Sequence, residues 1–319
     1  MMASAAEPNL IARLAPSPTG AQHVGNARTY LLAWLSARSQ LGQIVLRIED
    51  IDSPRVKPGA MQQAMDDLAW LGLDWDIGPI IQTQRLNRYQ QVLAELQKRE
   101  LAYPCTCTRS DIEAAASAPH VGQEGPVYPR TCAHRTARES AALTQPFAWR
   151  FRTADSQPQI YHDMLRGPQS CETVRELGDF VISKAAGSPA YQLAVVVDDH
   201  DHGVTDVFRG DDLIPSTFRQ LALYQTLGWT PPRFGHVPLV IGPDGRRLAK
   251  RHGDTRISIL RERGVPPETL VGFLAWSAGL RPTSAPVSAR ELLQGFDLSR
   301  ISLSPFVFTT EHWDQLLST

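Results

Sequence analysis

The run Arg13-Leu14-Ala15-Pro16-Ser17-Pro18-Thr19-Gly20-Ala21-Gln22-His23-Val24-Gly25-Asn26 constrains the fold more than any other part of this chain. It follows Leu10-Ile11-Ala12, a short apolar run suited to a buried strand, and its prolines and glycine force a tight turn. From Gly25 onward Ala27, Leu31, Trp34 and Leu35 recur near helical spacing, and Gly42 stands where a helix would stop. The pattern is a strand, a phosphate-facing turn and a helix start. His23 falls at the helix N-terminus, where free backbone N–H groups and the positive end of the helix dipole favour an anion. An imidazole donor there adds a further contact.

A second strand is expected from Gln43 to Glu49, built on Ile44, Val45, Leu46 and Ile48 and ending in Glu49, Asp50 and Asp52. Strand, helix, strand is a βαβ unit, and ligands of such sheets lie beyond the carboxyl ends of the strands. Helices follow with apolar stripes at Met61, Ala64, Met65 and Leu68, then at Leu86, Tyr89, Leu93 and Leu96. The run Tyr191 to Asp199 reads as a strand with polar residues at its end. Arg209-Gly210-Asp211-Asp212-Leu213 leads into a helix bearing Leu221, Tyr224 and Leu227, and His236 to Ile241 reads as another strand. The stretch Ala114 to Gly125 is a loop by composition. The end of the chain, with Leu270, Phe273, Leu274 and Trp313, reads as a small helical unit.

At 319 residues the chain has room for two or three compact units, and 42% hydrophobic residues with 20% charged describe an ordinary soluble protein. No apolar stretch approaches the roughly 18 residues needed to cross a bilayer, and the N-terminus lacks a signal-peptide pattern. A cytoplasmic location is expected. Formal net charge is −1, so contact with nucleic acid must come from local basic patches. The cysteines are Cys105, Cys107, Cys132 and Cys171, a spacing that in a cytoplasmic chain favours metal over disulfides.

The first run resembles the opening signature of class I aminoacyl-tRNA synthetases, in the form used by the glutamate-specific branch. That motif is His-x-Gly-His or a variant ending in a small residue, and Asn26 holds the last position here. The loop Arg247-Leu248-Ala249-Lys250-Arg251 resembles the second signature, Lys-Met-Ser-Lys-Ser, in degenerate form, with Ala249 in place of its serine. The resemblance implies an α/β fold: a Rossmann-like catalytic domain with a zinc-binding insertion and a small C-terminal helical subdomain. Its segments would be 1–100 for the first catalytic half, 101–188 for the insertion, 189–255 for the second half with the Lys250 loop, and 256–319 for the helical junction. It further implies activation of an amino acid by ATP with Mg²⁺. His23 and Lys250 become the catalytic residues, and Pro16, Thr19, Gly20, His23, Gly25, Asn26 and Lys250 contact ATP. Glutamate recognition falls to Arg13, Ala15, Ser17, Glu49, Tyr191 and Arg209. Within that set Arg13 and Arg209 take carboxylate, because a planar guanidinium donates twice. Glu49 takes the α-ammonium, Tyr191 a hydroxyl contact and Ser17 a contact at the lip. Glu49 and Arg13 could instead form an ion pair between neighbouring strand ends. Asp198 and Asp199 could hold ribose or orient Arg209.

Cys105-Thr106-Cys107 and Cys132 supply three thiolates, and zinc asks for a fourth ligand. Tyr128 lies four residues before Cys132 and His134 two after it. An unperturbed phenol pKa near 10 makes tyrosine an unusual ligand, yet Tyr128-Pro129-Arg130-Thr131-Cys132 is similar to the Tyr-x-x-x-Cys of shortened members of the family. Tyr128 is the favoured fourth ligand and His134 its rival; Cys171 has no partner.

About 65 residues follow Asp254, too few for a helical anticodon-binding domain beside a junction. The chain therefore resembles the shortened subfamily, the glutamyl-Q tRNA(Asp) synthetases, which attach glutamate to queuosine in the anticodon of tRNA(Asp). That subfamily implies tRNA(Asp) carrying queuosine as partner and a monomer. Ala190 to Asp199 and Val204-Thr205 are similar to it, with Val195 where longer enzymes often carry asparagine. Leu248 to Asp254 looks more like the longer enzymes, so a truncated glutamyl-tRNA synthetase is one alternative. A non-catalytic paralogue is another, kept open by Ala249 and Asn26.

Overall fold

The computed structural model describes residues 10–18, 21–51, 56–115, 126–154, 158–185, 187–248 and 255–318. Thr19, Gly20, Asp52 and the Ala249, Lys250 and Arg251 to Asp254 part of the second signature lie outside them, as do residues 116–125 of the expected loop.

The chain opens with β1 (Ile11–Leu14), α1 (Val24–Arg38), β2 (Gln43–Ile48), α2 (Ala60–Trp70), β3 (Ile77–Ile81) and α3 (Leu86–Lys98). An inserted block follows: β4 (Ala102–Cys105), α4 (Arg109–Ala115), β5 (Ala148–Phe151), the hairpin β6 (Gln159–Asp163) and β7 (Gly167–Cys171), α5 (Thr173–Glu176) and β8 (Phe180–Ser183). Next come α6 (Tyr191–Asp201), β9 (Asp206–Gly210), α7 (Ile214–Leu227), β10 (Arg233–Val237) and β11 (Val240–Ile241). The last elements are α8 (Ile257–Glu262), α9 (Pro267–Ser277), β12 (Phe306–Val307) and α10 (Thr310–Leu317).

Five strands form one parallel sheet in the order β10-β9-β1-β2-β3. The order reverses at β1, so a crevice opens beyond the carboxyl ends of β1 and β9. The insertion builds its own antiparallel sheet, β4-β5-β8, beside the β6-β7 hairpin.

α1 is apolar almost all round because it is covered twice. Leu31, Trp34 and Leu35 are buried in one core that runs from the sheet to Leu270, Phe273 and Leu274 of α9. Arg28 is buried within the same helix and donates to the carbonyls of Ser277, at 3.1 Å, and Pro238. The C-terminal unit thus shares its core with the sheet. It carries the expected helices and adds β12, which pairs in parallel with β11.

Four readings need correction. The single strand expected from His236 to Ile241 is divided between β10 (Arg233–Val237) and β11 (Val240–Ile241), which lie in different sheets because β11 pairs with β12. The Tyr191–Asp199 run is the helix α6, and the strand that follows it in the chain is Asp206–Gly210. Leu193 to Asp199 are all buried, packed among α3, α7 and the insertion, so the helix shows no polar face and its short apolar run imitates a central strand. Gly42 does not end α1: Ser39 is the C-cap, and the left-handed residue is Leu41, at φ 57°. Gly42 instead marks a tight approach, since a Cβ there would stand 3.0 Å from the Leu10 carbonyl oxygen and 3.1 Å from that of Ala37. The Ala114 to Gly125 loop, for its part, begins after α4 has run to Ala115.

Gly272, in the middle of α9, meets the loop beyond it so closely that a Cβ would lie 2.2 Å from the Ala285 carbonyl oxygen. Glycine to alanine in a helix ordinarily stabilises by about 0.5–1 kcal/mol. Here the clash wins: Gly272→Ala is expected to destabilise by about 1–3 kcal/mol, read as a lower midpoint in thermal denaturation, and a raised midpoint would refute the close packing.

Candidate active site and thiol centre

A cavity of about 540 Å³ occupies the crevice at the ends of β1, β2 and β9. Arg13, Ala15, Ser17, Glu49, Tyr191 and Arg209, the six residues expected to recognise glutamate, all line it. So do His23, Gly25 and Asn26 of the expected ATP set. Pro16 is not among the lining residues; its carbonyl accepts the Glu49 N–H at 3.0 Å. The Ser17 hydroxyl donates to the Glu49 carbonyl at 3.2 Å, and Gln22 Nε2 donates to the Ser17 carbonyl at 3.1 Å. These bonds pin the turn after β1 to the end of β2.

The charged residues are paired differently from the expected strand-end bridge. Arg13 Nε lies 3.3 Å from Asp199, whereas Glu49 accepts from Arg47, with Nη2 at 3.0 Å. Arg47 is 1% exposed and also donates to Asp199 at 2.5 Å. Burial works against its charge, but Asp199, Glu49 and Asp198 outweigh burial and hold its pKa above the usual value. Arg47 was not singled out in the sequence. The signal was there: residues two apart in extended chain share a face, so Arg47 on β2 and Glu49 just beyond its end point together. Neither Asp198 nor Asp199 orients Arg209. Asp198 is buried against Arg85 Nε at 2.7 Å, Gln82 Nε2 at 2.8 Å and the Tyr89 hydroxyl.

Arg209 is buried, with its guanidinium carbon 5.1 Å from the ring centre of Phe234. Its Nε donates to His236 Nε2 at 3.1 Å and its Nη2 to the Thr217 hydroxyl at 2.6 Å. Nη1 is buried without a hydrogen-bond partner among the described residues. An unmade bond on a buried charged donor is expensive, and a carboxylate is the group that would satisfy it.

His23 is the N-cap of α1, and Gly25 and Asn26 donate their backbone N–H groups to its Nδ1 at 3.1 and 3.4 Å. Asn26 Oδ1 accepts the His23 N–H in return, at 3.3 Å, which is the work of an amide at the last signature position. Val24 and Ala27 donate to the carbonyls of Thr255 and His23. The first-turn amides expected to be free for phosphate are thus engaged. The imidazole takes their place: with Nδ1 accepting, a neutral ring carries its proton on Nε2 as a donor. Burial, aided by Arg247, lowers its pKa to about 4. A Cβ at residue 25 would crowd this ring, at 3.0 Å from Cε1.

At the insertion, the ligand atoms of Cys105, Cys107 and Cys132 lie within 4.8 Å of one another. The Tyr128 hydroxyl stands among them, 3.2 Å from Cys105 Sγ and 3.6 Å from Cys107 Sγ. His134 is exposed, its Nδ1 3.1 Å from the Thr131 carbonyl. Arg150 donates to Cys105 Sγ at 3.3 Å and lies 3.8 Å over the Tyr128 ring, so a cation faces the sulfur cluster. Burial opposes the Cys132 thiolate, but hydrogen bonds from Tyr128 and the Thr106 backbone prevail and bring its pKa to about 7. Burial raises Cys107 to about 11. Three sulfurs and a phenol oxygen are a donor set that suits a tetrahedral zinc; Arg150 is no ligand, and its charge offsets part of the negative charge of the thiolates. Cys171 is buried at the end of β7, its thiol raised to about 11 by burial.

The family model for class I tRNA synthetases (E and Q), catalytic domain, matches residues 9–314. The chain is 52% identical to a glutamyl-Q tRNA(Asp) synthetase of Rhodopirellula baltica, covering 96% of this chain and 97% of that protein. It is 48% identical to one of Symbiobacterium thermophilum, covering 93% and 95%. A crystal structure of glutamate-tRNA synthetase from Elizabethkingia anophelis superposes with a TM-score of 0.81 at 28% identity, over 97% of this chain and 70% of that one. The match runs through the signature turn, the crevice and the insertion alike, and the chain belongs to the class I tRNA synthetases of the E and Q group, within the glutamyl-Q tRNA(Asp) synthetases.

Proposed function

We propose that this chain activates L-glutamate with ATP and transfers the glutamyl group to the queuosine base in the anticodon of tRNA(Asp). The observation that carries the amino acid assignment is the buried, unpartnered Arg209 Nη1 in a cavity that also holds Arg13 and Glu49. Arg13 and Arg209 bind carboxylate, Glu49 binds the α-ammonium, Tyr191 offers its hydroxyl, and Ala15 and Ser17 shape the lip. The acceptor is supported by relatives of matching extent that bear the glutamyl-Q name.

The attacking carboxylate is ionised at neutral pH and needs no general base. Its oxygen bonds to the α-phosphorus of ATP as the bond to pyrophosphate breaks, and the glutamyl group then passes to the tRNA oxygen with release of AMP. What the protein supplies is in-line placement and positive charge. His23 donates from Nε2, Lys250 neutralises phosphate, Thr19, Gly20, Gly25 and Asn26 border the nucleotide, and Pro16, which is outside the cavity lining, holds the turn through its carbonyl bond with Glu49. Mg²⁺ accompanies ATP and screens its phosphates. Cys105, Cys107, Tyr128 and Cys132 would hold one structural zinc, with Tyr128 taking the position considered for His134, and the bound ion would crosslink the end of β4 to Cys132. Residues 1–100 and 189–255 are the two catalytic halves, 101–188 the zinc-bearing insertion and 256–319 the junction of a cytoplasmic monomer.

Glutamate-dependent exchange of pyrophosphate into ATP, followed by transfer of labelled glutamate, tests the reaction. Transfer to queuosine-containing tRNA(Asp) and not to the unmodified tRNA is the expected result, with exchange abolished in Lys250→Ala. Charging of tRNA(Glu) instead would identify a truncated glutamyl-tRNA synthetase, and no exchange with any tRNA would sink the enzymatic reading.

The lowered pKa of His23 sets a pH signature. The unfolded chain binds a proton on this residue below about 6.5 and the folded chain only near 4, so its stabilising contribution is complete above 6.5 and is lost as pH falls toward 4. The melting temperature should fall more between pH 6.5 and 4.5 in the unsubstituted protein than in His23→Asn, which caps without titrating. Equal slopes would contradict the neutral N-cap.

For the thiol centre, purified protein should contain one zinc per chain. Tyr128→Phe should lower the metal content or raise its loss to a chelator, and His134→Ala should leave both unchanged; the reverse pattern would move the fourth ligand to His134.

A further inference from the structure

Behind Arg209 lies a buried chain of polar groups to which the proposed reaction assigns no part. Asp163 ends β6 and is wholly buried. Its Oδ1 accepts three backbone N–H groups, from Leu165 and Arg166 at 2.9 Å and from His236 at 3.1 Å. Its Oδ2 lies 2.5 Å from His236 Nδ1. Burial works against its charge, but the His236 imidazole and the Arg166 and Leu165 N–H groups outweigh it and keep this carboxyl below its ordinary pKa. Ionised, Asp163 can only accept, so His236 carries its proton on Nδ1. That leaves His236 Nε2 a bare lone pair, 3.1 Å from Arg209 Nε, whose N–H can only donate. Thr217 takes a second guanidinium nitrogen, Nη2. The Thr217 hydroxyl also stands 3.1 Å from His236 Nε2, and with the ring proton on Nδ1 it can only donate there; Nη1 remains as the guanidinium nitrogen with no partner among the described residues.

We propose that His236 and Asp163 are positioning residues of the amino acid site: they fix the tautomer and plane that hold Arg209 with Nη1 reserved for the carboxylate of the bound amino acid. Asp163 belongs to the inserted hairpin, which is tied down on either side of the contact. Met164 N–H donates to the Phe234 carbonyl at 2.8 Å, and Arg166 pairs with Asp211 beyond β9. The hairpin is thereby part of the apparatus that selects the amino acid. The reasoning parallels a buried aspartate that holds a catalytic histidine in one tautomer, except that here the histidine orients a guanidinium and moves no proton.

Asp163→Asn is the informative variant. With its oxygen kept by the three main-chain donors, the new amide turns N–H toward His236, the ring proton moves to Nε2, and two N–H groups then face each other at Arg209. In pyrophosphate exchange the KM for glutamate should rise about tenfold or more, with the KM for ATP within twofold of the unsubstituted protein. His236→Leu should do the same, and His236→Gln, which can accept from Arg209 while donating to Asp163, should recover at least half of the loss on a logarithmic scale. An unchanged glutamate KM in Asp163→Asn, or glutamate and ATP constants rising together, would overturn the proposal. It rests on the glutamate-activation reading, so ¹⁵N NMR of the histidines in the unsubstituted protein supplies a test free of activity and of any folding defect. A proton on His236 Nδ1 supports the chain of bonds even where exchange fails, and a proton on Nε2 refutes it even where exchange succeeds.

Discussion

Arg47 is the point on which both halves of the catalytic sheet depend. Its guanidinium, buried on β2, meets Glu49 on its own strand end and Asp199 on α6, and Asp199 reaches on to Arg13 at the end of β1. Asp198, next to it on α6, carries the network outward to Arg85 and Tyr89. Burying one such ion alone would cost several kcal/mol, and the penalty is tolerable only because each charge has an opposite neighbour. The consequence is geometric. α6 cannot shift against β1 and β2 without stranding a buried charge, so Arg13, Glu49 and Tyr191, which approach the cavity from three different elements, hold fixed positions relative to one another.

The same economy runs through the anion side of the cavity. A helix N-terminus with open amides would bind phosphate by itself, but the first-turn amides of α1 are engaged, two of them by the His23 ring. The helix end therefore presents one directed donor, Nε2, in place of a diffuse set. Because the ring is neutral, it contributes a hydrogen bond without a charge, and the compensation of phosphate charge falls to cations further along the chain. That division suits adenylate formation, where the charge to be neutralised is large and moves from the α-phosphate to the departing pyrophosphate.

Much of this was legible in the chain. The strand-turn-helix opening follows from Pro16, Pro18 and Gly20 between two apolar patterns, and the six residues that resemblance marked for glutamate do line one cavity. What could not be read has a common cause. The α6 sequence reads as a strand because helix and strand look alike when every face is buried, and only its packing among α3, α7 and the insertion decides between them. Arg47, His236 and Asp163 stand in no motif. They are ordinary polar residues in strands, and their importance comes from partners 152 residues away for Arg47 and 73 for the His236–Asp163 pair. Long-range polar pairing leaves no local periodicity to detect.

Those distant pairs also explain how an insertion can sit inside a catalytic domain without being a passive appendage. The β4-β5-β8 sheet carries the sulfur cluster, and Arg150 couples that cluster to the insertion core through Cys105 and the Asp179 carbonyl. A second cavity, about 720 Å³, lies between this face and α6, with Cys105, Tyr128, Gln192 and Arg219 among its walls. Tyr191 and Gln192 are consecutive residues at the start of α6, yet one borders the amino acid cavity and the other this second space. Gln192 is held there by Ser216 and Gln220 of α7. The helix misread from its sequence is thus the wall common to both cavities. Because Asp198 and Asp199 lock it to the sheet, the insertion is referenced to the same rigid frame as the reacting groups.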